Sequence, residues 1–546
     1  MTNMFASAAP ISTNNTTVED MRRSVTYHPS VWKDHFLDYA SGITEVEMEQ
    51  LQKQKERIKT LLAQTLDDFV LKIELIDAIQ RLGVGYHFEK EINHSLRQIY
   101  DTFQISSKDN DIRVVALRFR LLRQHGYPVP SDVFKKFIDN QGRLDESVMN
   151  NVEGMLSLYE ASNYGMEGED ILDKALEIST SHLEPLASRS RRINEALEMP
   201  ISKTLVRLGA RKFISIYEED ESRDEDLLKF AKLDFNILQK IHQEELTHIA
   251  RWWKELDLGN KLPFARDRVV ECYFWILGVY FEPQYNIARR FMTKVIAMTS
   301  IIDDIYDVHG TLEELQRFTD AIRSWDIRAI DELPPYMRLC YEALLGMYAE
   351  MENEMVKQNQ SYRIEYARQE MIKLVTTYME EAKWCYSKYI PNMDEYMKLA
   401  LVSGAYMMLA TTSLVGILGD PITKQDFDWI TNEPPILRAA SVICRLMDDV
   451  VGHGIEQKIS SVDCYMKENG CSKMEAVGEF SKRVKKAWKN LNEEWVEPRA
   501  ASMVILVRVV NLARVINLLY VGEDSYGNSS VKTKELIKGV LVHPIK

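Results

Sequence analysis

Glycine and proline are scarce in this chain, 23 and 16 among 546 residues. That scarcity excludes a many-turned β architecture, whose loops consume both. Paired cysteines are missing as well. The six cysteines (Cys272, Cys340, Cys385, Cys444, Cys464 and Cys471) include several inside apolar helical patterns. Their spacing suggests neither a disulfide framework nor a zinc site, which points to a reducing compartment. There is no excess of positive charge either. The net charge of −14 argues against nucleic acid or an anionic membrane as the main partner. The opening stretch MTNMFASAAPISTNNTTVED lacks the charged-then-apolar layout of a secretory signal and the arginines of a transit peptide. The expectation is a flexible tail, residues 1–30, on a cytoplasmic protein.

What is present is ordinary globular material, 45% hydrophobic and 27% charged. The length exceeds what one core supports, so two domains are expected. Most of the chain reads at helical period. Leu71, Leu75, Ile76, Ile79 and Leu82 predict one apolar stripe, and Leu227, Phe230, Ala231, Ile237, Leu238 and Ile241 another, interrupted by Asp234. Neither sustained alternation nor a fixed repeat is found, so the fold class is all-α. The sharpest break in composition is EEDESRDED at 218–226, a run that reads as a solvated connection. It divides the chain into domains 31–224 and 225–546. The basic cluster at 188–192 has the composition of a localisation signal but reads better as a solvated helix end. Residues 399–419 carry no charge over 21 positions, long enough to cross a bilayer. The polar groups of Ser403, Tyr406, Thr411, Thr412 and Ser413, a bend at Ser403-Gly404 and the lack of flanking anchors favour a helix buried in a bundle.

Chemistry concentrates at two acidic constellations. Asp303-Asp304-Ile305-Tyr306-Asp307 follows the apolar stretch 295–302. On a continuing helix Asp303 and Asp307 lie about 40° apart at 100° per residue. Hard carboxylate oxygens on one face suit Mg²⁺. The second constellation, 448–456, follows the apolar run 439–447 and places Asp448 and Glu456 on one side, with ligand-free Gly452 between them. Two such faces are costly to bury unless a cation neutralises them. His453 lies off the acidic face, which favours a surface role over a ligand or base. Arg266 and Arg268 precede another apolar stretch, and Arg445 sits one turn before Asp448. Arginine offers a planar fork of donors that matches phosphate oxygens.

These residues resemble the class I terpene synthases of plants. The match lies in Asp-Asp-x-x-Asp at 303–307, the degenerate acidic motif at 448–456, Arg266-x-Arg268, and Arg22-Arg23 followed after eight residues by Trp32. Cys272-Tyr273-Phe274-Trp275 and Phe281-Glu282-Pro283-Gln284-Tyr285 read the same way. The resemblance, running from about residue 25 to the C-terminus, implies an N-terminal α-barrel and a C-terminal catalytic α-bundle. It implies three Mg²⁺ ions, with Mn²⁺ as a substitute, two held by Asp303, Asp304 and Asp307. The third falls to Asp448 and Glu456, with water at Gly452 where the family usually has Ser or Thr. Arg266, Arg268 and Arg445 then assist in gripping a diphosphate, and Arg22 and Arg23 help close the mouth. Trp275, Tyr520 and Tyr526 match pocket aromatics of the family, with Asp524 beside them in the catalytic set. Tyr406 joins them on helix position alone. The implied protein is a monomeric carbon–oxygen lyase that takes a prenyl diphosphate, with no nucleic-acid partner and no membrane insertion.

The short stretch before Arg22 leaves little room for a plastid-targeting peptide. That favours farnesyl over geranyl diphosphate, and thus a sesquiterpene synthase with a germacrene-type or cadinane-type ring closure. A prenyl-elongating transferase would carry two Asp-Asp-x-x-Asp motifs on a shorter chain. A helical scaffold would show a repeat and has no need of two metal-binding faces. No Asp-x-Asp-Asp occurs in the N-terminal half, where Thr65-Leu66-Asp67-Asp68 lacks the first Asp. Protonation-initiated cyclisation is therefore not expected.

Overall fold

Long stretches without glycine or proline wind into helices almost throughout, and no strand forms among the described residues. The structure is a computed structural model that describes residues 27, 29–40, 42–64, 68–102, 110–138, 143–144, 146–454, 458–522, 524–527 and 531–546. Arg22, Arg23 and Glu456 lie outside them.

The helices bury two principal hydrophobic cores. One gathers residues from Leu51 to Ile237, and the other residues from Leu205 to Leu541 together with Trp32 and Phe36. A single helix, Glu225–Leu256, serves both, with residues 227–237 in the first core and 238–253 in the second. The acidic run ends where this helix begins. Asp224 caps it, accepting the Leu227 N–H at 2.8 Å, and Glu225 and Asp226 lie in its first turn, where the helix dipole favours negative charge. Asp234, the polar break in the predicted stripe, is buried, and its Oδ1 accepts the Tyr86 hydroxyl at 2.6 Å and lies 2.7 Å from the His87 ring. The terminal helix Val531–Leu541 docks on the same helix, its end carbonyls accepting from Gln239 and Gln243.

Of the stripe predicted over 71–82, Ile76, Ile79 and Leu82 are buried and Leu75 packs against the core, while Leu71 is left out. Helix Phe69–Arg81 buries Lys72, Ile73, Ile76, Asp77 and Ile79, whereas Leu71 stands 53% exposed. Its core side is shared with an ion-pair network: Asp77 takes both Arg81 and Arg120, and Arg81 also reaches Glu160. Apolar spacing alone did not include those charges. Asp68 caps this helix by accepting the Val70 and Leu71 N–H groups.

The uncharged stretch 399–419 is not one helix. Met393–Ser403 and Tyr406–Ser413 are separate, and Ala405 between them has φ +64°. The bend expected at Ser403-Gly404 is a full break. Arg363, buried on the neighbouring helix Tyr362–Ser387, ends the second piece. Its guanidinium donates to the carbonyls of Leu414, Val415, Ile417 and Ile422 at 3.4, 3.1, 2.8 and 2.9 Å, pinning the segment that follows the helix. Among the described residues, the helix with membrane-spanning length and composition is instead Met503–Tyr520. It is mostly buried, and its Arg508 and Asn511 donate to the Val279 carbonyl, so it acts as a core helix.

Replacing Arg363 by Met keeps the stem but removes the guanidinium from four buried carbonyls. Those of Leu414 and Ile422 keep a second, long contact, to the Ile417 N–H at 3.4 Å and the Tyr362 hydroxyl at 3.5 Å. At about 1–3 kcal/mol per unsatisfied group, Arg363→Met is expected to lower stability by several kcal/mol in denaturant melts. A melt indistinguishable from wild type would show that the Arg363 contacts do not hold this segment.

Candidate active site

The two acidic motifs meet because each lies where an apolar helix runs out. Helix Asn286–Asp304 buries residues 297–302 and then delivers Asp303 and Asp304. A plain α-helix was expected to continue through Asp307. Instead the chain widens into a π turn, Ile305–His309, closed by the Gly310 N–H donating to the Ile305 carbonyl at 2.8 Å. Such turns are frequent at functional sites. A Cβ on Gly310 would collide with the Leu315 side chain, so the turn requires glycine there. Helix Pro435–Gly452 delivers Asp448 and Asp449 in the same way.

Both Asp-Asp pairs divide their work. Asp303 keeps 18% of its side chain exposed and lines a cavity, whereas Asp304 keeps none. Asp304 Oδ2 accepts the backbone N–H of Arg266 at 2.7 Å and its Nε at 3.1 Å. The Arg266 Nη2 reaches Asp304 Oδ1 at 2.8 Å and Asp303 Oδ2 at 2.5 Å. Burial pushes the Asp304 carboxyl up to about 6, with Arg266 pulling down and Asp303 adding to the rise. In the second motif Arg445 touches both Asp448 and Asp449, the latter at 2.6 Å. Asp449 is buried and also accepts the Tyr396 hydroxyl and the Ser461 N–H, each at 2.9 Å, whereas Asp448 lines the cavity.

Aromatic and aliphatic groups complete the wall. Trp275, Tyr406, Tyr520 and Tyr526 all line the cavity, together with Ile296, Leu512 and Leu519. Tyr406 is held by donating to the Leu512 carbonyl at 2.7 Å. The rings of Trp275 and Tyr526 lie 5.2 Å apart, and the Arg266 guanidinium is 4.3 Å from the Tyr526 ring and 5.1 Å from that of Tyr27. Burial, then the charges of Asp448 and Asp524, hold the Tyr520 hydroxyl well above its ordinary range.

Three expected site residues stand elsewhere. Arg268 is fully buried and does not line the cavity; its donors go to the carbonyls of Asp267 and Gly527. Asp524 accepts the N–H groups of Tyr526 and Gly527, which shapes the turn that presents Tyr526. Gly452 ends its helix and brings no side chain. His453 is half-buried rather than at the open surface, 3.1 Å from the Ser460 hydroxyl and away from the cavity.

Two residues were missed. Lys458, after the second motif, lines the cavity and pairs with Asp307 at 2.9 Å. No periodic signal marks it. Glu381 accepts the Ser403 hydroxyl at 2.5 Å, and burial pushes it up to about 7 against the pull of Arg445. It falls on the stripe of Leu374 and Tyr378, so a carboxylate at that helical spacing was the available signal.

Among the described residues no three His, Cys, Asp or Glu side chains close into a metal cage. The donors are carboxylates spread over two helix ends. That set fits Mg²⁺, which takes one or two carboxylates and fills its remaining positions with water and substrate phosphate.

The model of the terpene synthase N-terminal domain matches residues 31–205, and that of the terpene synthase metal-binding domain matches residues 254–490. A (−)-germacrene D synthase of Origanum vulgare is 70% identical over 100% of this chain and 99% of its own. A beta-caryophyllene synthase of Lavandula angustifolia is 58% identical over 98% of this chain and 100% of its own. Among solved structures, isoprene synthase from grey poplar leaves (Populus x canescens), in complex with three Mg²⁺ ions and dimethylallyl-S-thiolodiphosphate, superposes with a TM-score of 0.86 at 32% identity. That match covers 95% of this chain and 99% of the other.

Asp304 is the buried counter-charge of Arg266, and removing it strands a cation. Asp304→Asn is expected to cost roughly 3 kcal/mol of stability in metal-free buffer, while Asp303→Asn, at the open side, costs far less. Equal denaturation midpoints for the two variants would contradict this division of labour.

Proposed function

The chain belongs to the terpene synthase family, and we propose that it is a sesquiterpene synthase, a lyase that ionises farnesyl diphosphate and cyclises the resulting cation. The observation that carries this reading is the convergence of two Asp-Asp motifs, each gripping its own arginine, on one aromatic-walled apolar cavity. The names of the full-length relatives support the fifteen-carbon class.

The family's metal-binding domain makes a divalent cation part of the chemistry. We take the ions to be Mg²⁺, three of them, replaceable by Mn²⁺. Asp303 and Asp307 would hold ions at the first motif, and Asp448 and Glu456, with water at Gly452, at the second. Asp304 and Asp449 are assigned to holding Arg266 and Arg445. When bound, the metal supplies positive charge that stabilises the departing diphosphate.

The chain's own groups do the rest. Arg266 and Arg445 donate to phosphate oxygens, orienting the diphosphate above the cavity. The bond between C1 and oxygen breaks with its electron pair going to diphosphate, which leaves an allylic cation. The faces of Trp275, Tyr520 and Tyr526 attract that cation, and the apolar wall keeps water away from it. Ring closure and loss of a proton then give a neutral hydrocarbon. Arg268 and Asp524 act at one remove by fixing the turn that carries Tyr526. Arg22 and Arg23 are assigned to closing the mouth. The reading includes a cytoplasmic monomer without nucleic-acid or membrane partners, and the burial of Met503–Tyr520 supports the last of these.

Incubation with farnesyl diphosphate and Mg²⁺ is expected to release diphosphate and a cyclic C15 hydrocarbon by gas chromatography, with chelator abolishing both. Asp303→Ala or Asp307→Ala is expected to lower kcat by about 100-fold or more while the helical circular dichroism persists. Higher kcat/KM with geranyl diphosphate would overturn the substrate assignment.

Mg²⁺ titrations test the second motif. Glu456→Gln removes a charged ligand and is expected to raise the half-saturating Mg²⁺ several-fold, whereas Gly452→Ser supplies a hydroxyl and is expected to lower it. A wild-type titration for Glu456→Gln together with an inactive Gly452→Ser would remove this face from the metal site.

A further inference from the structure

The helix Met503–Tyr520 separates two cavities. Its Leu512, Ile516, Leu519 and Tyr520 line the aromatic-walled one already described. On its other side, roughly 200–240° round from Leu512 at about 100° per residue, Arg514 and Leu518 line a second cavity. This space measures about 480 Å³ and lies between the two halves of the chain, within the size range of small-molecule sites. Helices Phe69–Arg81, Arg191–Glu198 and Val206–Glu219 wall it on one side, Met503–Tyr520 and Val531–Leu541 on the other. Met199, Ile201, Phe213, Ile216 and Leu536 give it a broad apolar surface.

The charges of this cavity are matched, with one exception below the surface. Arg81 holds Glu160, Lys212 holds Glu195, and Arg192 pairs with Glu153 at 2.8 Å. Glu198 lies 3.9 Å from Lys212, and Lys532 is exposed. Arg514 is half-buried, and among the described residues no carboxylate pairs with it. Its Nε donates to the Ser202 carbonyl and its Nη1 to Asn511 Oδ1, each at 2.8 Å, which leaves Nη2 without a bond among the described residues. Burial pushes this guanidinium below its usual range, as expected of a cation that lacks a counter-ion. Tyr164 lines the same cavity and is 6% exposed, yet its hydroxyl finds no partner among the described residues. It lies close enough for Arg514 to oppose the rise that burial gives its hydroxyl.

We propose that this cavity is a second ligand site, one that takes an amphipathic carboxylate. The head group accepts from Arg514 Nη2 and the Tyr164 hydroxyl, and an apolar tail lies along Met199, Phe213, Ile216 and Leu536. A buried donor without an acceptor is costly, and an ionised acceptor is the partner that a guanidinium binds most strongly. One uncompensated cation calls for one negative charge. A diphosphate would bring more than Arg514 neutralises, beside Glu160, Glu195 and Glu198. The site shares no side chain with the aromatic cavity and does not depend on the diphosphate reading.

The test is isothermal titration calorimetry of laurate, below its micelle concentration, into the purified full-length chain. Laurate is expected to bind at one site per chain and dodecanol at least about tenfold more weakly, as for loss of a charge-assisted hydrogen bond. Arg514→Gln, which keeps an amide donor for Ser202 or Asn511, is expected to weaken laurate by about tenfold or more. Tyr164→Phe is expected to weaken it roughly fivefold with an unchanged thermal midpoint, since its hydroxyl has no partner to lose. In turnover, laurate is expected to leave the KM for farnesyl diphosphate unchanged. No binding of laurate, or equal binding of dodecanol, overturns the carboxylate site. So does a rise in KM that Arg514→Gln does not relieve, because laurate then sits in the aromatic cavity. Should Arg514→Gln not fold, Tyr164→Phe decides alone, and wild-type affinity there counts against the proposal.

Discussion

A carboxylate carried into an apolar cavity has to meet positive charge, and the layout of the catalytic half of this protein follows from that requirement. Isolated ionised carboxyls in low dielectric are so unfavourable that they neutralise or find a partner. Asp304, pushed up to about 6 by burial even with Arg266 against it, measures how severe the setting is. The protein meets the requirement locally at each helix end. One aspartate goes into the core and grips an arginine, and the arginine's other edge reaches the aspartate that faces the cavity. The facing carboxylates are thereby held in place. This also resolves the tension between an acidic chain and an anionic substrate, since the cations that matter are concentrated at one cavity.

Holding those helix ends in register is the work of the packing behind them. Arg363 collects four carbonyls where the helix Tyr406–Ser413 stops, so the cavity-lining Tyr406 sits on a segment with a defined end. The break at Ala405 lets Ser403 turn towards Glu381. Asp449 ties Tyr396 and the first turn of helix Ser461–Asn469 to the second motif. Such groups are buried polar links whose loss leaves donors or acceptors stranded, which makes the local arrangement all-or-none. The N-terminal half joins this frame through helix Glu225–Leu256 and through Trp32, whose indole N–H donates to the buried Glu271 at 3.1 Å. Glu271 lies on the helix that also carries Trp275. Residues near the start of the chain therefore pack into the catalytic core.

The sequence was legible where a residue's role depends on near neighbours. Helical period, scarcity of breakers and the stripe around Asp234 led directly to an all-helical chain, and Asp-Asp-x-x-Asp marked an acidic face without any structure. It was misleading where a long-range partner decides the outcome. Beside the stripe over 71–82, the charged Lys72 and Asp77 turn inward while Leu71 is left out, because Asp77 meets Arg120 from another helix. Arg268 and Arg266 are two positions apart and of one type, yet one points at the motif and the other braces the 524–527 turn. Spacing has no term for that difference.

By itself the sequence determined the fold class, the two acidic faces and the family, because each is written in residue identity at short separation, where helix geometry fixes who shares a side. Only the tertiary structure decided which of two adjacent aspartates faces the cavity, that the first motif ends in a π turn, and that Lys458 lines the cavity while Glu381 holds the cavity-lining Ser403. These depend on contacts between helices tens to more than a hundred residues apart, whose relative rotation is set by packing of whole faces. A helix's own sequence carries its period but not the angle at which its neighbours meet it.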